Sequence, residues 1–295
     1  MRARKRIAKL RDFLKSLCFL CPSFLGVCLF FIVPFAVVVK YSLTDSAGAD
    51  AAFVGIDNFK RLISNQAFQL AAKNTLTFSA MAVPLSVILA ISLALMLESR
   101  IPMKSAFRSF FLSPMMVPVA SIVLIWQVLF SYNGSVNVLV SSLFGADGVD
   151  WMNSDWAQGV VILLFLWKNL GYNMILFMAG LHNIPKALLE YADVEGASEW
   201  YKFWAIKLRY LSPTVLFVTI LSLINSFKIF REVYLLAGNY PYQKLYTLQH
   251  FMNNMFNTPD YQKLSAAAIL MAIVMIVLIA LLFLIEGWFG KDVEG

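Results

Sequence analysis

The residues best placed to do chemistry cluster around Lys168, which sits in the middle of an apolar stretch beside Trp167, Asn169, Tyr172 and Asn173. A lysine at bilayer depth costs roughly 2.5 to 3.5 kcal/mol on insertion scales. It must therefore snorkel, meet backbone carbonyls, contact another subunit or line a water-filled cavity. The neighbouring rings offer stacking faces and the amides offer donors and acceptors. That combination suits a sugar, whose C–H faces stack on rings while its hydroxyls need hydrogen bonds. Trp126, Gln127 and Asn225, in two further apolar stretches, extend the same chemistry. Hydrogen bonding between helices by the asparagines accounts for these residues equally well, so both readings stand. Lys228, Arg231 and Glu232 mark the outer boundary of a span, with Lys228 and Glu232 spaced i, i+4 for pairing.

Catalytic chemistry finds little support. The two histidines, His182 and His250, fall in loops on opposite sides of the membrane, without a cluster of further ligands. Cys18 and Cys21 have a C-x-x-C spacing and Cys28 follows, but no other soft ligand lies near, so these read as small lipid- or helix-facing side chains. No G-x-x-x-x-G-K-[ST] loop is present. The chain is expected to bind no cofactor and to be no enzyme, so any energy must come from another protein.

The elements that hold these residues are membrane spans. Of 295 residues, 60% are hydrophobic and 14% charged. Six apolar blocks qualify: Leu17 to Val39, Leu76 to Leu97, Phe110 to Phe130, Gln158 to Leu181, Leu211 to Phe227 and Leu264 to Ile285. Roughly 20 residues at 1.5 Å rise cross a ~30 Å hydrocarbon core, which predicts a multi-pass membrane protein with six helices. The period-2 pattern of a membrane barrel is absent. Leu17 to Val39 is longer than the apolar region of a secretory signal and lacks a small-residue cleavage site, so it reads as an uncleaved first span. None of the six blocks contains Asp or Glu, so no carboxylate of the chain's own core is expected to neutralise Lys168.

The net charge of +7 does not call for nucleic acid, because seven of the 24 basic residues lie in the first 15 positions, beside a span. With the amino terminus inside, fifteen Lys and Arg fall in inner segments and seven in outer ones, which predicts both termini in the cytoplasm. The outer loop Ser131 to Ala157 has Asp147, Asp150 and Asp155 but no Lys or Arg. Pro34, Pro84, Pro114 and Pro118 sit inside spans and predict bent or broken helices. The expected organisation is a single permease domain over 1–295, with a first span and outer loop over 1–74 and core spans over 75–290.

The inner loop after the fourth span is unusual. From Pro185 it reads PKALLEYADVEGASEWYKFWAIKLRYLSP. Leu188, Leu189, Ala192 and Gly196 recur at helical spacing, giving one small apolar face for a partner to grip. Trp200, Phe203, Trp204 and Leu208 form a second stripe that would pack the element against the bundle. An apolar ledge in a loop implies a soluble partner. The alternative is an interfacial helix lying on membrane lipid, which the acidic Glu190, Asp193, Glu195 and Glu199 disfavour.

This stretch resembles the EAA loop of ABC importer permeases, approximately E-A-A-x-x-D-G-A, nine residues, then I-x-L-P. The match falls on Glu190, Ala192, Gly196, Ala197, Phe203, Ile206, Leu208, Leu211 and Pro213. Glu195 stands where the family has aspartate, and Arg209 where it has proline. FVGIDNFKRLISNQAFQLAAKNTLTFSAMAVPLSVILAISLAL, FRSFFLSPMMVPVASIVLIWQVLF and WKNLGYNMILFMAGLHNIPKALLE are similar to the carbohydrate branch, which includes maltose and glycerol-phosphate systems. SFKIFREVYLLAGNYPYQKLYTLQHFMNNMF is a looser match, with Gly238 to Pro241 where the family often has a Gly-Gly-Pro turn.

The resemblance implies an all-α, six-helix bundle of the type I importer (MetI-like) kind, with both termini cytoplasmic. It implies that Glu190, Ala192, Glu195, Gly196, Ala197 and Phe203 dock on an ATPase homodimer carrying ATP and Mg. It further implies a second homologous permease, an extracytoplasmic solute-binding protein, and a sugar, oligosaccharide, polyol or glycerol-phosphate as cargo in the cell membrane. Two rivals are an ion-gradient transporter, which would need membrane carboxylates or broken-helix ion sites, and an anchored scaffold that moves nothing.

Overall fold

The computed structural model describes residues 15–17, 19–46, 48, 50–98, 103–145 and 147–289. The basic residues Arg2 to Arg11, together with Cys18, Arg100 and Lys291, lie outside the described residues. In chain order the helices are α1 (Phe19–Ser42), α2 (Asp57–Ile63), α3 (Gln66–Glu98), α4 (Lys104–Met116), α5 (Val119–Leu129), α6 (Ser135–Phe144), α7 (Ala157–His182), α8 (Lys186–Val194), α9 (Glu199–Lys202), α10 (Leu208–Phe227), α11 (Phe230–Ala237), α12 (Leu248–Asn257) and α13 (Tyr261–Phe289). Among the described residues the only β pairing is an isolated bridge between Thr44 and Phe53. Five helical runs are long and apolar enough to cross a membrane, and the bent pair α4–α5 would make a sixth.

Two compact units emerge, one formed by residues up to Ser64 with Met255–Ala272, the other by Asn65–Asn254 with Ile273 onward. In the first, α1 is apolar all round and its side chains are exposed along the span, as befits a helix solvated by hydrocarbon. A π turn at Cys28–Ile32 precedes Pro34. The buried Asn58 amide donates to the carbonyls of Ser42 (3.0 Å) and Thr44 (2.8 Å), tying the end of α1 to α2.

The second unit packs α3, α4, α7 and α10 together. On α3, Ala82, Ser86, Ala90 and Ala94 recur every fourth residue and are fully buried, a small-residue stripe that lets neighbouring helices approach closely. At Gly171 of α7 the approach is closer still: a Cβ there would stand 1.9 Å from the Phe111 carbonyl oxygen of α4. Leu97, Met174, Phe177, Leu181, Leu211 and Val218 fill the space between these helices.

Two spans differ from expectation. The block Phe110 to Phe130 is not one helix: α4 and α5 meet at 99°. Val117 is extended (φ −83°, ψ 133°), as is Pro118 (φ −57°, ψ 139°), in line with the steric bias of a proline ring against the helical region for the residue before it. Pro84 and Pro114 are carried inside continuous helices. The short fifth block belongs to a 39-residue helical path, Glu199–Ala237, that joins α9, a π turn at Phe203–Lys207, α10 and α11.

Candidate functional site

The fourth span, α7, carries the polar cluster, and four neighbouring helices decide what each of its side chains does. Asn173 is 2% exposed, and its amide donates to Ser86 Oγ of α3 (2.9 Å) and Ser222 Oγ of α10 (3.0 Å). Its donors are spent tying three helices together, the second of the two roles that its residue type allowed. One turn earlier, Asn169 donates to the Phe165 carbonyl (2.8 Å) and accepts from Asn225 Nδ2 of α10 (3.2 Å), on a face that is not sealed. Tyr172 is exposed on α7, and Asn225 is exposed on α10.

Lys168 pairs with Glu232 of α11. The carboxylate is buried, whereas the lysine side chain remains 29% exposed. The neutralising acid comes from outside the six apolar blocks, which themselves hold no Asp or Glu, and the expected pairing of Glu232 with Lys228 is overturned. The helix breaks after Phe227, so Lys228 and Glu232 do not share a helical face. Instead α11 packs on α5 and aims its one acid at the fourth span. Gln127 of α5 fastens the same element by donating to the Leu235 carbonyl (3.1 Å). Trp126 and Trp167 stack at 5.2 Å between ring centroids. The buried Trp126 Nε1 has no acceptor among the described residues.

Outside the spans, His250 lies within α12 rather than in a loop, 1% exposed and edge-on to the Phe230 ring at 4.7 Å. Burial pushes its imidazole down to about 4, so it is neutral at pH 7. Its Nδ1 meets Thr247 Oγ1 at 2.9 Å. Asp155 is held below the usual carboxylate range by hydrogen bonding and charge from Lys244 and by the Tyr242 hydroxyl.

The element after α7 is a compact hook. Helix α8 ends at Gly196, whose φ of +75° lies in the left-handed region. The Ala197 N–H donates to the Ala192 carbonyl (2.9 Å) and the Gly196 N–H to that of Asp193 (3.1 Å). These are the two bonds of a Schellman motif, which favours glycine at this position. Ser198 Oγ then accepts from the Tyr201 N–H (3.2 Å) and starts α9. Buried Lys202 bridges back to Asp193 (2.5 Å) and to Glu199, closing the hook. Glu190 and Glu195 stand exposed and, among the described residues, unpaired.

The hook's faces depart from the sequence expectation, although Gly196 stays exposed. Leu189 and Ala192 turn inward, Leu189 onto the core between α3, α7 and α10, because that core already offers Ile184 and Leu181 to cover. The outward stripe is Ala187, Glu190, Tyr191 and Val194, at i, i+3, i+4 and i+7, with Tyr191 65% and Val194 85% exposed. Trp200 and Trp204 also face outward, while Phe203 is half-buried against them. Tyr191 and Val194 were missed because an amphipathic pattern does not say which apolar side is claimed by the chain's own core. Glu232 was missed because its partner lies 64 residues away. The stripe of small residues at every fourth position of α3 was a readable sign of close packing around Ser86.

A helical bundle with a polar face inside its spans and an exposed hook beside them is the architecture of a membrane transport component. The chain belongs to the family of binding-protein-dependent transport system inner membrane components, whose profile matches residues 82–295. It is thus a multi-pass inner-membrane permease component of an ABC-type import system, and not an enzyme. It is 30% identical to the trehalose/maltose transport system permease protein of Thermococcus litoralis over 241 residues, 81% of each chain. It is likewise 30% identical to the lactose transport system permease protein of Rhizobium radiobacter, covering 73% of this chain and 74% of that one. Its fold matches a chain of a bacterial ABC transporter involved in import of the acidic polysaccharide alginate, with a TM-score of 0.81 at 23% identity over the full length of both.

Proposed function

We propose that this permease lines half of a pathway for an uncharged sugar or oligosaccharide and couples it to a separate ATPase through the hook at Pro185 to Lys207. In this reading the chain pairs with a second, homologous permease and receives cargo from an extracytoplasmic solute-binding protein. An ATPase homodimer, holding ATP and Mg, docks on the cytoplasmic side, where both termini also lie. The sugar relatives support the cargo class. So does the neutralised Lys168–Glu232 pair, which leaves exposed Asn225 and Tyr172, with half-buried Asn169 beside them, as hydrogen-bonding and stacking groups on the span faces.

One observation carries the docking half of the proposal: the outward stripe Ala187, Glu190, Tyr191, Val194, held by a hook whose other face is already used. ATP binding would close the ATPase dimer and move the hook, which is joined rigidly to α10 by the continuous helical path and to α3 by the Lys207–Glu98 ion pair (3.4 Å).

The test is co-purification of the ATPase with the double variant Tyr191→Ala, Val194→Ala. The expected result is at least a tenfold loss of bound ATPase with the melting temperature of the permease within about 3 °C of wild type. Undiminished ATPase binding would sink the assignment. For the cargo, uptake with Asn169→Leu or Asn225→Leu is expected to fall with the ATPase still bound, and unchanged uptake would remove these residues from the pathway.

A further inference from the structure

Stability alone does not call for the Lys168–Glu232 pair. Two apolar side chains of similar volume are often as stabilising as a buried ion pair, or more so, and hydrocarbon penalises a charge at this depth. The pair nonetheless stands near the middle of α7. Its two ends differ. The Glu232 side chain is 5% exposed and the Lys168 side chain 29%, so the ammonium is the end that an incoming molecule meets. Tyr172 follows Lys168 by one helical turn and Asn169 lies next to it, so the three share one face of α7. Asn225 of α10 reaches that face through its hydrogen bond to Asn169 (3.2 Å). A partly exposed ammonium in such company faces a polar cavity rather than lipid tails.

We propose, resting on the pathway reading of the Asn169–Asn225 face, that Glu232 determines the charge preference of the pathway by holding the Lys168 ammonium, so that no net positive charge is offered to cargo. An uncharged sugar meets hydroxyl, amide and ring partners there and loses nothing to the pair. A carboxylate or phosphate ester has two costly choices. It can leave water for a site of no net charge, or take the ammonium from Glu232 and leave that carboxylate buried and unpaired. Uronic acids and sugar or glycerol phosphates are therefore refused, which separates neutral sugars from the glycerol-phosphate class. Nor can Glu232 give way by turning aside with its helix. Its neighbour Val233 is 1% exposed, in a core shared with Val161 and Phe165 of α7, and Gln127 of α5 holds the Leu235 carbonyl (3.1 Å). Lys228 and Arg231, the cations nearest to Glu232 in the chain, are exposed, where water and salt screen them.

The experiment measures equilibrium binding of galacturonic acid and of its methyl ester to the assembled transporter, purified without its binding protein so that only the membrane cavity selects. The two probes share a ring and hydroxyls and differ in charge. The wild-type complex is expected to hold the ester about tenfold more tightly than the acid, and Glu232→Gln should gain affinity for the acid by about tenfold over wild type. Glu232→Asp, a milder change that draws the carboxylate back by one methylene, should move the preference the same way by about threefold. The exchange Lys168→Glu, Glu232→Lys and the neutral pair Lys168→Gln, Glu232→Gln should both return the preference to the ester, which a merely structural role for Glu232 does not require. Acid binding that neither Glu232→Gln nor Glu232→Asp improves, with both probes weakened by Asn225→Leu, would overturn the charge assignment and spare the pathway. Binding of both probes untouched by Asn225→Leu would remove the pathway face itself, and the charge assignment with it.

Discussion

The membrane-depth cluster and the hook after α7 handle polar groups in opposite ways. Around Asn173 and Lys168 the amide donors and the charge are taken up by neighbouring helices, through Ser86, Ser222 and Glu232. The hook consumes Asp193, Ser198, Glu199, Lys202 and Lys207, and presents Glu190, Tyr191 and Val194 to the outside. The reason is the solvent. Hydrocarbon offers no hydrogen bonds, so a polar group there must be satisfied within the protein. Water satisfies the hook's surface, which leaves its exposed groups available for a partner. A residue's usefulness for recognition is therefore read from what its neighbours leave unspent.

That contrast breaks first at the helix crossings. Gly171→Ala puts a methyl group against the Phe111 carbonyl oxygen, and the expected cost is about 3 kcal/mol or more, read as a lost or sharply lowered thermal transition in detergent. Gly196→Ala, where nothing crowds the added carbon, should cost only about 1 kcal/mol, through its positive φ. Equal effects at the two glycines would erase the distinction between the regions.

Next comes the ion pair. Glu232→Gln strands Lys168, and since the lysine can still snorkel from its partly exposed position, a loss of about 2 to 3 kcal/mol is expected. The exchange Lys168→Glu, Glu232→Lys should recover at least half of it in a double-mutant cycle. Purely additive losses would show that the two groups do not stabilise each other.

A further effect is on pH dependence and lies at α12. The folded His250 imidazole stays neutral down to about 4, whereas the unfolded chain takes up a proton near 6.5. Its contribution is present in full above pH 6.5 and is lost as the pH falls toward 4, amounting to about 2 kcal/mol at pH 5. His250→Phe should flatten that part of the stability profile. A profile unchanged by the substitution would place the titration elsewhere.

The sequence by itself determined the class of fold, because span length and apolar blocks are local consequences of hydrophobicity, whereas which of its prolines breaks a helix, Pro118 and not Pro84 or Pro114, was decided only in the fold. It also determined the hook, since Glu190, Gly196 and Ala197 are close in the chain and the left-handed turn they share is a local requirement. It made the family legible from a resemblance centred on those same residues, over a matched region of 82–295. Only the tertiary structure decided which apolar side of α8 faces out, that the 39-residue path turns Glu232 back onto Lys168, and that Asn173 ties helices together. Those outcomes depend on partners 49 to 87 residues away, and no periodicity within a single span can announce them.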